Sequence, residues 1–138
     1  MLKTPFLTAL LAAALVVPAL AQTAPNDTGA GLERGLQAVN SSGQVGSVTV
    51  FRTSGNPTLV VDVKGSANHP EAVTIARGRS CDALDLSTKL PLGNLQNGRL
   101  RATSPISSDR LLSGNYYLVV HNNTPTSRPV LCGQLYVR

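Results

Sequence analysis

Tryptophan is absent from this 138-residue chain, aromatic residues make up only 4% of it, and histidine and cysteine occur twice each. Each shortage closes off a class of function. Stacking platforms for nucleic acid need aromatic side chains interleaved with a basic stripe. Here the arginines are scattered, so the formal charge of +5 favours solubility and weak attraction to anionic surfaces and implies no nucleic-acid partner. Two histidines, His69 and His121, cannot supply the three protein ligands of a catalytic zinc or the imidazole-rich set of a copper site. Asp62, Glu71, Asp82, Asp85 and Asp109 could supplement them, yet no pair stands at a spacing that itself suggests a site. Serine is plentiful, but there is no G-x-S-x-G elbow and no histidine with placed partners. A hydrolase is therefore not expected.

The first residues carry Lys3, an apolar run from Phe6 to Val17, and small residues at Ala19 and Ala21 around Leu20. This is the pattern of a secretory signal, residues 1–21, cleaved before Gln22. The run is short for a membrane span and Pro18 interrupts it. The expected destination is outside the cell or in the periplasm or cell envelope, with no membrane span after cleavage. Residues 22–138 suffice for one core and not for two domains. Cys81 and Cys132 would meet an oxidising compartment, where a pair of thiols normally closes. Such a bond stabilises a fold by roughly 3–4 kcal/mol on the chain-entropy account. A redox or metal-binding thiol pair would want the C-x-x-C spacing, which is missing.

From Gln22 to Gly35 the chain is small and polar, and a flexible lead-in is expected over 22–35. Beyond it the apolar residues alternate with period two. Val48 and Val50 oppose Ser47, Thr49 and Phe51; Leu59, Val61 and Val63 oppose Asp62 and Lys64. These are half-buried strands, and the intervening TSGNP has the residues of a hairpin turn. EAVTIAR, GRLRAT, YYLVVH and VLCGQLYV continue the series, with LQAV able to pair ahead of them. About seven or eight short antiparallel strands punctuated by Gly, Asn and Pro predict an all-β Greek-key sandwich or flattened barrel over 36–138. The connection from Cys81 to about Asn97 has little regular pattern, and Leu111 and Leu112 are expected to plug one end of the barrel.

Few residues are candidates for chemistry. His69, in ANHPEA, is most simply an exposed loop residue. His121 ends a strand on the face of Tyr117 and Val119, where its ordinary role is a hydrogen bond to a neighbouring loop. Arg77, Arg99 and Arg101 would form an anion- or glycan-binding patch if their strands lie near each other; otherwise they are a solvated polar face.

Taken in order and spacing, GQVGSVTVFRTSGNPTLVVDVKGSANHPEAVTIARGRSC, LPLGNLQNGRL and LLSGNYYLVVHNN…VLCGQLY resemble the Cu/Zn superoxide dismutase-like superfamily, in particular its short secreted bacterial variants. The most specific points are Gly78 with Cys81, Val120 with His121, and Cys132 with Gly133. The resemblance implies a Cys81–Cys132 disulfide. It also places Thr74 and Ala76 where copper-binding members carry a His-x-His pair, leaving His121 alone of the family's ligand set. A one-electron dismutase needs a redox metal held by several nitrogens, and a fold without its site does not carry the activity. The expectation is a non-catalytic extracytoplasmic binding or structural protein that takes no cofactor and meets an unknown ligand or protein. The alternatives are a weak copper or zinc protein using His121, with His69 and a carboxylate, for a residual dismutase-type role, and the arginine-patch anion binder.

Overall fold

A computed structural model describes residues 31–65 and 69–136. The expected signal, residues 1–21, and most of the lead-in lie outside the described residues. The elements are β1 (Leu32–Ala38), β2 (Val45–Phe51), β3 (Thr58–Lys64), β4 (Glu71–Gly78), β5 (Leu84–Leu95), β6 (Arg99–Thr103), α1 (Ser108–Ser113), β7 (Tyr116–His121) and β8 (Pro129–Gln134). The eight strands are all antiparallel in the order β5-β4-β7-β8-β1-β2-β3-β6, a nearly closed, barrel-like sheet.

Period-two alternation produces this arrangement directly. Val48 and Val50 of β2 and Leu59, Val61 and Val63 of β3 turn inward, paired across the hairpin as Val48↔Val61 and Val50↔Leu59. The inward rows of β4 and β7 contribute Val73, Ile75, Leu118 and Val120 to the same interior. Residues 71–76 and all of β7 are buried on both faces, because a second, smaller cluster covers their outward side with Ala76, Tyr117, Val119, Cys132 and Tyr136. Leu111 and Leu112 of α1 join the main interior with Ile106, so the short helix closes one end of the barrel.

The circle is not closed by a full ladder. β5 and β6 are the two ends of the strand order, joined by a tight turn in which Gln96 and Arg99 exchange backbone hydrogen bonds of 2.9 and 3.1 Å. Asn97 and Gly98 take φ of +54° and +78° there, the pattern of a two-residue hairpin turn that favours Asn-Gly. At the opposite side of the circle β1 meets β8 only through Gln37↔Cys132 and Ala38↔Leu131. A Cβ on Gly133 would lie 2.7 Å from the Gly35 carbonyl oxygen, so this approach requires glycine.

Two expectations are corrected. The stretch after Cys81 is not irregular: residues 84–95 form the longest strand. Its pattern was invisible because β5 is an edge strand whose faces are mostly exposed, with Pro91 inside it and two register shifts against β4. The first strand begins at Leu32 rather than after Gly35, so the last four residues of the expected lead-in are ordered by pairing, Leu32↔Val50 to Gly35↔Ser47.

Candidate functional site

The outward row of β4 carries Ala72, Thr74 and Ala76, and that of β7 carries Tyr117, Val119 and His121. Register sets Thr74 against Val119 and Ala76 against Tyr117. Thr74 and His121 are thereby brought together, with 2.8 Å between Thr74 Oγ1 and His121 Nε2. The other ring nitrogen, Nδ1, lies 3.0 Å from the Ser127 carbonyl oxygen. A carbonyl only accepts, so Nδ1 carries the proton of the neutral ring and Nε2 accepts the Thr74 hydroxyl. Ser127 is held in place by its own loop: its N–H donates to the Thr124 carbonyl, and its hydroxyl accepts from the Thr124 N–H.

His121 is 1% exposed. Burial holds its pKa below the ordinary value of 6.5; the Ser127 carbonyl opposes that shift, and the positive charge of Lys89 adds to it. The ring is thus a neutral buried imidazole with both nitrogens engaged. Ala76, fully buried, presents no ligating atom. His69 is exposed on the connection before β4, its Nδ1 3.1 Å from the Pro70 carbonyl oxygen, and no hydrogen bond among the described residues links it to His121.

Beside this row lies the cross-link. Cys81, in the turn after β4, is bonded to Cys132 on β8, with Cα atoms 5.9 Å apart. The Tyr117 hydroxyl donates to the Arg79 carbonyl at 2.9 Å, and the Tyr117 and Tyr136 rings meet edge to face at 5.8 Å. The disulfide therefore pins the segment after β4 over the outward face on which His121 and Thr74 stand.

The arginines divide into two groups. Arg99 and Arg101 share a row of β6, opposite Asp62 and Val60, and Arg99 is 3.5 Å from the Asp62 carboxylate. Arg77 stands at the end of β4 remote from the turn joining β5 to β6, its guanidinium 5.7 Å from the Tyr116 ring centre. There it lines a shallow recess with Arg79, Asp85 and Asn115. The structure pairs Arg99 with Arg101 and sets Arg77 apart from both.

Sequence reasoning passed over one polar pair. The Gln44 side-chain amide donates to Glu71 Oε2 at 2.8 Å, inside the barrel. The signal was available in part, since Glu71 falls in the same alternating row as Val73 and Ile75.

No family model, no curated protein and no solved structure matches the chain. What the fold and the site define is an all-β, nearly closed antiparallel barrel with one disulfide.

Proposed function

We propose that this chain works as an extracytoplasmic binding or structural domain of the Cu/Zn superoxide dismutase-like type, without a competent transition-metal site. The observation that supports this reading is the condition of His121. A metal-ligating imidazole keeps one nitrogen for the metal and gives the other to a supporting acceptor. His121 has the supporting acceptor in Ser127, but its second nitrogen is engaged by the Thr74 hydroxyl. The neighbouring positions on the outward face offer a hydroxyl and a methyl group. The disulfide, and the lack of any helix among the described residues long and apolar enough to cross a membrane, are compatible with a place outside the cytoplasm.

The test is metal content. Purified protein is loaded with copper and zinc, dialysed exhaustively and assayed beside His121→Ala. The expected result is no retained stoichiometric copper or zinc in either. Metal held by the wild type and lost in the variant would replace this reading with the weak copper or zinc protein.

A further inference from the structure

Strand parity sends two polar side chains into the barrel at the end opposite α1. Gln44 precedes β2 in the row of Gly46, Val48 and Val50; Glu71 opens β4 in the row of Val73 and Ile75. They are 9% and 1% exposed. One hydrogen bond joins them, from Gln44 Nε2 to Glu71 Oε2. The other oxygen of each, Gln44 Oε1 and Glu71 Oε1, is buried with no hydrogen-bond partner in the protein. Turning the amide over would only set its oxygen against Oε2. No salt bridge among the described residues reaches Glu71.

Two acceptor-only oxygens, one of them on a carboxylate, are costly to leave buried and unmatched, and native interiors rarely keep such groups without compensation. Acceptor-only atoms are matched by a hydrogen-bond donor such as water or by a cation, and of these the cation also offsets the charge of the carboxylate. We propose that Gln44 Oε1 and Glu71 Oε1 are ligands of a hard cation, calcium in the first instance, held at the mouth of the barrel. The donor set is all oxygen, with the thiols consumed in the disulfide and His121 on the outward face, and this favours a hard cation over copper or zinc. Calcium suits the site better than magnesium, because it accepts irregular geometry and a mixed set of carboxylate, amide, carbonyl and water oxygens, whereas magnesium demands a near-ideal octahedron. The ion would tie β2 to β4, strands separated by three others in the sheet order, and so brace the barrel across its width. This site is independent of the outward face considered under Proposed function.

The experiment is thermal unfolding of chelator-treated protein titrated with calcium or magnesium chloride at constant ionic strength, with Glu71→Gln and Gln44→Leu alongside. The wild type is expected to gain about 6–11 °C at a calcium concentration ten times the dissociation constant, with a smaller gain for magnesium. Glu71→Gln loses that response, and Gln44→Leu weakens it. Equilibrium dialysis of the wild type, expected to read one calcium per chain, tests the site without any variant. No response to calcium, an equal response in Glu71→Gln, or no calcium retained on dialysis overturns the proposal. So does stabilisation by acid alone with no response to cations, which would give the place to a proton.

Discussion

Removing the cross-link with Cys81→Ala and Cys132→Ala together should cost this fold about 4–5 kcal/mol. The two positions are separated by 51 residues, and closing a loop of that length removes chain entropy worth about 4 kcal/mol at 25 °C. The span holds β5, β6, α1 and β7, so the released unfolded chain gains freedom over nearly half of the described residues. Cys132 is fully buried in the outward cluster with Tyr117, Val119 and Tyr136, and trimming its sulfur adds on the order of 1 kcal/mol. For a domain of this size the sum corresponds to a fall in Tm of roughly 15–35 °C. Urea unfolding followed by circular dichroism is the assay. The midpoint should drop by about 2–4 M, and the slope should rise slightly because the uncross-linked chain exposes more surface when unfolded. A loss under about 2 kcal/mol with an unchanged slope would refute the reasoning, since it would mean that the bond does not restrain the unfolded chain.

Three further outcomes can be measured on the same apparatus. Leu111→Ala, at a fully buried position of α1, should cost about 2–5 kcal/mol by opening a cavity at the helix end of the barrel; a cost below about 1 kcal/mol would show that this end collapses freely. For His121, burial sets the folded pKa below 6.5, so the unfolded chain binds the proton first as pH falls. Its contribution to stability is therefore fully present above about pH 6.5 and declines below it. Between pH 7.5 and 5.5 the wild type should lose stability that His121→Asn does not. Thr74→Val should cost about 1–3 kcal/mol by stranding the buried Nε2.

The strands that could be read from sequence are those with one face in the interior and the other in water or against the small outward cluster, as in β2 and β3. There the side-chain period reports burial directly. β5 gave no such report, because its residues Asp85–Ser87 and Leu90–Pro91 are exposed on both faces. β1 was shortened for a related reason: Arg34 sits in the inward row opposite Val48, where an apolar residue would have announced the strand, and its guanidinium instead donates to the Tyr136 carbonyl at 3.2 Å. At the candidate site, alternation placed His121 on the correct face, and the hydrogen bond to a neighbouring loop was anticipated in kind. Its partners were not legible, because the Thr74 contact depends on the β4–β7 register and the Ser127 contact on the path of the loop 122–128. Gln44 and Glu71 lie 27 residues apart, one just before β2 and the other opening β4, strands that are not neighbours, and only closure of the barrel brings them together.

The position of β8 between β7 and β1 bears on the order in which the molecule can be assembled. The strand that must pair with β1 follows the seven others in chain order, so β1 has only its hairpin partner β2 until residues 129–134 have emerged. The one cross-link waits on the same event, since Cys81 has no other cysteine to meet before Cys132 appears. During synthesis the first half of the chain thus stays an open hairpin stack with an unpaired edge, the state most exposed to mispairing with another chain. Arrival of β8 covers that edge and brings the two cysteines within bonding reach.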